Sequence, residues 1–119
     1  MINLDTHILI HALEGRLKVT ELELLDRSRW SVSAIVLWEI AKLVQLGRLE
    51  MDLEDREVVR ALSRIHVWPL DLPIALASTR LDFRGDPADE IIAATSVVHG
   101  VPLLTRDRAM RGSAVVPLP

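Results

Sequence analysis

The chain has 119 residues, no cysteine and a formal net charge of −3, which leaves room for one compact domain spanning residues 1–119. Hydrophobic residues make up 50% and mean hydropathy is +0.26, which excludes a charge-extended, disordered chain. Aromatic residues are 3% of the total, and Trp30, Trp38, Trp68 and Phe83 are too few for a sheet platform that stacks several bases.

The absence of cysteine removes disulfide frameworks and thiolate metal sites, and it fits a reducing cytoplasm. Met1-Ile2-Asn3-Leu4-Asp5 has no basic n-region, and Asp5, His7 and His11 interrupt the apolar run of a secretory leader. Glu39 and Lys42 split the longest apolar stretch well short of the roughly 20 residues of a membrane span, so a soluble protein is expected. The acidic balance argues against coating nucleic acid through diffuse positive charge.

Ile2-Asn3-Leu4 reads as a short buried strand, followed by a helix capped at Asp5-Thr6 that runs through Leu13 and stops at Gly15. Val19 to Arg27 reads as a second helix. Trp30-Ser31-Val32-Ser33 alternates as a strand, and Ser33 caps a periodic helix from Ala34 to Leu46 that Gly47 closes. A helix over about Leu53 to Ile65, a strand from His66 to Leu70 and a helix from Pro73 to about Leu81 follow. Asp86 as N-cap and Pro87 at the first helical position start a helix that runs to His99 and ends at Gly100. Pro102 to Thr105 is a buried strand, and Val115-Val116-Pro117 a last edge strand. Strands this apolar, alternating with helices, imply a three-layer α/β/α sandwich around a short, mostly parallel sheet.

Ligands of open parallel sheets bind beyond the carboxyl ends of the strands, which singles out Asp5 and Asp107. Glu39 stands out differently, because Ile35, Val36, Leu43 and Leu46 share its helix face, and an ionised group there needs a positive partner. Asp89 occupies the first turn of its helix, where the dipole favours an acid whatever its role. Carboxylates converging without cysteine or a histidine cluster make an all-oxygen site suited to Mg²⁺ or Mn²⁺. Capping and turn roles also account for Asp5, Asp89 and Asp107, and Glu39 alone lacks such an account.

Four segments together resemble one family. They are Leu4-Asp5-Thr6, Ser33 to Ala41 with Glu39, Gly85-Asp86-Pro87-Ala88-Asp89 leading into Ile91-Ile92-Ala93-Ala94-Thr95, and Leu103-Leu104-Thr105-Arg106-Asp107. Their order and content resemble the PIN-domain ribonucleases, and most closely the VapC-type toxins of bacterial type II toxin–antitoxin pairs. The resemblance covers essentially the whole chain and implies a PIN-like sandwich. It places the family's acidic quartet, catalytic and metal-binding, on Asp5, Glu39, Asp89 and Asp107, with Thr6 and Thr105 beside the pocket. It further implies a Mg²⁺- or Mn²⁺-dependent endoribonuclease, an RNA substrate, a homodimer and a VapB-like antitoxin. Relatives often carry arginine after the aspartate matching Asp89, whereas this chain has Glu90. Four neighbouring carboxylates repel one another, so raised pKa values are expected in the metal-free protein.

Arg106, Arg108 and Arg111 follow the strand that delivers Asp107 and are the candidate RNA contacts, since a guanidinium suits phosphate. Arg56, Arg60 and Arg64 recur every four residues among acids and read as a solvated face. His7 and His11 lack the Glu of His-Glu-x-x-His and read as a partly buried packing pair, while His66 and His99 read as isolated surface or strand-end residues. No Gly-x-Ser-x-Gly, Gly-x-x-x-x-Gly-Lys or Gly-x-Gly-x-x-Gly occurs. Leu22, Leu24, Leu25, Leu37 and Val44 supply more apolar surface than a small core absorbs, which suits a dimer or antitoxin interface. The alternatives are a degenerate PIN domain that binds RNA or a partner without cutting, and a receiver-like signalling domain. The only lysines, Lys18 and Lys42, are misplaced for a receiver.

Overall fold

The computed structural model describes residues 1–119. Its elements run β1 (Ile2–Leu4), α1 (Thr6–Glu14), α2 (Val19–Asp26), β2 (Trp30–Ser33), α3 (Ala34–Gln45), α4 (Arg56–Ser63), β3 (His66–Trp68), α5 (Leu72–Ser78), α6 (Pro87–His99), β4 (Leu103–Leu104) and α7 (Arg108–Arg111). The strands form one sheet in the order β3-β2-β1-β4, parallel at every pairing. No helix is long and apolar enough to cross a membrane.

Local chemistry explains most boundaries. Asp5 accepts a hydrogen bond from the Thr6 backbone N–H and starts α1, and Gly15 ends it at φ 71°, a left-handed conformation that a side chain would strain. Ser33 caps α3 through the Ile35 N–H. α4 begins at Arg56 rather than near Leu53 because Asp55 takes the Glu57 and Val58 N–H groups and sets the start. Arg56, Arg60 and Arg64 are all exposed, the solvated face expected of them.

The carboxyl end differs from expectation in one strand and adds one element that was not anticipated. Val115-Val116-Pro117 is not a strand: of the possible ladder bonds, only Leu103 N–H to the Pro117 carbonyl forms, at 2.9 Å. The Val115 and Val116 N–H groups donate instead to Ser113 Oγ, both at 3.1 Å, and Asp82 anchors this turn by accepting from the Ser113 hydroxyl and, at 2.6 Å, from the Ala114 N–H. The second difference is α7, a single turn that Asp107 caps through the Met110 N–H and that four residues of sequence periodicity could not announce.

Strand register decides what each face meets. Asn3 is in register with Ser31 and Leu103, and Ser31 with His66, so these side chains point to one face of the sheet. α6 covers that face. Asn3 Nδ2 donates to Ser96 Oγ at 2.9 Å and to the Ile92 carbonyl at 3.3 Å, and Ala93 and Ser96 are small enough to let helix and sheet approach. Trp68 stacks on His99 of α6 at 4.0 Å between ring centroids and meets His66 edge-on at 4.3 Å, so His66 and His99 are not isolated. The β1-β2 and β2-β3 connections run through α1–α2 and α3–α4, and the right-handed rule for parallel crossovers sets these helices on the face opposite α6, in keeping with three layers. Ile2, Leu4, Ile8, Leu9, Val32, Val36, Ile40, Ile92 and Leu103 form the centre of the aliphatic core, each at most 2% exposed.

Candidate functional site

The chain order reverses direction at β1. From β1 it proceeds outward through β2 to β3, then returns to place β4 on the other side of β1. That switch point, at the carboxyl ends of β1 and β4, is where the following turns diverge and leave a crevice. Asp5 leaves β1 at this rim, and Thr105-Arg106-Asp107 leave β4 beside it. Glu39 reaches the same place from the middle of α3, and Asp89 from the first turn of α6. Asp5, Thr6, His7, Glu39, Asp86, Asp89, Arg106 and Asp107 line an open cleft of about 370 Å³ that contains no hydrophobic side chain. The four carboxylates singled out from sequence are thus brought together from four separate elements.

Hydroxyl groups hold these carboxylates in place. Thr6 Oγ1 donates to Glu39 Oε1 at 2.5 Å, which answers the difficulty of an acid on an apolar helix face: its partner is a threonine at the strand–helix turn. Thr105 Oγ1 donates to Asp5 Oδ2 at 2.6 Å and accepts the Asp107 N–H at 3.0 Å, so one hydroxyl ties the ends of β1 and β4 together. Thr105 is buried, as is Asp5 at 5% exposure. Charge–charge repulsion is visible at Asp89, whose carboxyl is pushed up to about 6 by burial first, then by Asp5, Glu39, Asp107 and Asp86. Within this arrangement no three of the His, Asp and Glu side chains stand close enough to share an ion. Asp5 and Glu39 each accept from a threonine hydroxyl, and Asp107 accepts the Met110 N–H at the start of α7. The donors themselves are hard oxygens in number and kind suited to Mg²⁺ or Mn²⁺, and a cation would remove the repulsion that raises Asp89.

The arginines divide. Arg106 lines the cleft, but its charge is taken by Glu21 of α2, with Nε 2.8 Å from Oε2 and a terminal nitrogen 2.6 Å from Oε1. Glu21 is buried and also accepts the Lys18 N–H; its carboxyl is held down to about 2, mainly by the Arg106 hydrogen bond against the opposing effect of burial. Arg111 lines a separate cavity of about 250 Å³ between α2, β4 and the C-terminal segment, and Arg108 is exposed at the start of α7.

Three contributors escaped the sequence reading. Asp86 is the cap residue of α6, yet its side chain makes no cap hydrogen bond and lines the cleft instead. His7 is exposed at the cleft rather than packed with a half-buried His11; its place three residues beyond β1 was the available signal. Glu21 carried no signal, because its partner lies 85 residues away.

The PIN domain family model matches residues 2–114. Ribonuclease VapC22 of Mycobacterium tuberculosis (strain ATCC 25618 / H37Rv) is 33% identical over 85 residues, a match that spans 68% of this chain and 65% of that protein's length. Among solved structures, FitAcB from Neisseria gonorrhoeae superposes with TM-score 0.71 at 24% identity, covering 99% of this chain and 96% of the other. VapBC2 from Rickettsia felis, bound to a DNA fragment from its promoter, gives TM-score 0.73 at 20% identity, with 100% and 98% covered. With the match running from β1 past α7, and the acidic cleft built where β1 and β4 end, this chain belongs to the PIN-domain family.

Proposed function

We propose that the chain is the toxin of a type II toxin–antitoxin pair, a metal-dependent endoribonuclease acting as one PIN unit over residues 1–119 and neutralised by a VapB-like antitoxin. The observation that carries this reading is the cleft free of hydrophobic side chains, with four carboxylates delivered to the switch point of a parallel sheet. Similarity to Ribonuclease VapC22 supports ribonuclease activity, and the fold shared with toxin–antitoxin complexes supports the partner.

Asp5, Glu39, Asp89 and Asp107 would hold Mg²⁺ or Mn²⁺. Bound there, such an ion supplies Lewis-acid polarisation of a phosphoryl oxygen and a lowered pKa for water. Thr105 keeps Asp5 turned to the cleft, and Thr6 does the same for Glu39. Arg106 sits at the cleft wall with its charge balanced by Glu21, which keeps the pocket net acidic and receptive to cations. Arg108 and Arg111, which follow Asp107 in α7, would meet phosphates outside the cleft itself. Exposed Leu22 on α2 and Trp38 on α3, the latter 56% exposed, offer apolar surface for the antitoxin or for a second copy in a homodimer.

Purified protein should cleave RNA with Mg²⁺ or Mn²⁺ and lose that activity in EDTA. Asp5→Asn and Asp89→Asn should each abolish cleavage with the fold retained. Undiminished cleavage by both variants would sink the assignment.

A further inference from the structure

A second cleft of about 500 Å³ adjoins the acidic one. Ser78 and Thr79 at the end of α5, Phe83, Arg84 and Gly85 in the loop before α6, and Glu90 in its first turn form the walls. Gly85 is the boundary between the two clefts. A Cβ at this position would lie 3.4 Å from Asp89 Cβ, 3.5 Å from Asp89 Oδ2 and 3.9 Å from Phe83 Cε2, so the acid and the ring both border this residue. An RNA whose phosphate meets a cation held at Asp89 would thus place the adjoining base beside Phe83.

The polar groups of this cleft are biased. Ser78 Oγ donates its hydrogen to the Ala75 carbonyl and Thr79 Oγ1 donates its own to the Leu76 carbonyl, both at 2.7 Å. Facing the cleft, each hydroxyl can therefore only accept. The Glu90 carboxylate is likewise an acceptor, and neither it nor the exposed Arg84 makes a hydrogen bond or ion pair through its side chain elsewhere in the protein. The wall thus combines an aromatic ring, several acceptors and one guanidinium. Of the four RNA bases, guanine alone places two N–H donors side by side on its Watson–Crick edge, matching the two oxygens of a carboxylate, and its O6 and N7 suit a guanidinium.

We propose that this cleft is a base subsite selective for guanine, with Phe83 as the stacking surface and Glu90 as the specificity determinant. The assignment rests on the nuclease reading of the neighbouring cleft, which names the RNA but not the base. It gives Glu90, whose carboxylate is unpaired within the protein, a substrate contact.

The test pairs binding with cleavage. Fluorescence anisotropy on the full chain, with Ca²⁺ in place of Mg²⁺ or Mn²⁺, would compare short single-stranded RNAs that carry one guanosine, inosine or adenosine among uridines. Guanosine should bind about tenfold more tightly than inosine, which lacks the 2-amino group, or adenosine. Glu90→Gln should shrink that ratio to less than threefold, whereas Phe83→Leu, which keeps an apolar group, should weaken all three RNAs alike. With Mn²⁺, cut sites should fall beside the guanosine. Equal binding of the three RNAs, or an unchanged preference in Glu90→Gln, overturns the subsite. Guanosine-selective binding without cleavage refutes the nuclease reading and leaves the subsite standing; cleavage with no base preference does the reverse.

Discussion

Replacing Asp89 by asparagine should make the metal-free protein more stable, an unusual outcome for a half-buried residue at a helix start. In the folded chain this carboxyl is pushed up from 3.8 to about 6, by burial and by Asp5, Glu39, Asp107 and Asp86. A shift of roughly 2 units corresponds to about 3 kcal/mol at 1.36 kcal/mol per unit, and solvent screening at a partly open site reduces it to about 1–2 kcal/mol. The sign follows from proton binding. Between pH 3.8 and about 6 the folded state holds the proton and the unfolded chain has lost it, so this group lowers stability as pH rises. The cost is complete above about pH 6, and it disappears below 3.8, where both states are protonated. Asparagine keeps the shape and removes the charge. Urea denaturation in EDTA should therefore show Asp89→Asn ahead of the parent by about 1–2 kcal/mol at pH 7.5, with the gap closing as pH falls toward 4. Adding Mn²⁺ at pH 7.5 should narrow the gap from the other side, because an ion that binds only the folded parent stabilises it by mass action. A variant no more stable than the parent at pH 7.5, or an advantage independent of pH, would refute the claim that burial and the neighbouring carboxylates make the charged Asp89 costly in this cleft.

Glu21→Gln should cost about 1–3 kcal/mol, since it leaves Arg106 beside a neutral partner while the guanidinium, 31% exposed, recovers part of its hydration. Because Glu21 is held at about 2, its contribution is complete above 4.5 and is lost as pH falls toward 2; acid titration of the melting temperature in parent and variant checks this. Thr105→Val should lower RNA cleavage roughly tenfold with the fold intact, and Thr105→Ser should restore it, as steady-state kinetics would reveal. Ile92→Ala, in the fully buried middle of α6, should cost about 2–5 kcal/mol in urea denaturation through lost burial and an unfilled cavity.

Much of this architecture is written locally. Asp5, Ser33, Asp55 and Pro87 start helices, and Gly15 and Gly100 stop them, because capping and left-handed turns depend on one or two residues acting on their neighbours. Apolar runs at Ile2–Leu4 and Leu103–Leu104 announce strands buried in a parallel sheet for the same reason. The acids that follow those strands could be read as rim residues before any fold was in view. What sequence could not supply was distance between remote parts of the chain. The Thr105 hydroxyl on Asp5 spans 100 residues, the Thr6 hydroxyl on Glu39 spans 33 and the Arg106–Glu21 pair spans 85. Only the strand order β3-β2-β1-β4, which returns the chain across β1, brings these groups together. It also turns Asp86 from a helix cap into a cleft residue, while Val115–Pro117 loses its strand because the Val115 and Val116 N–H groups go to Ser113 Oγ, itself held by Asp82. Local sequence determined where elements begin and which residue types stand at their ends. Tertiary packing decided which charges meet, because burial and Coulomb interactions depend on separation in space and not along the chain.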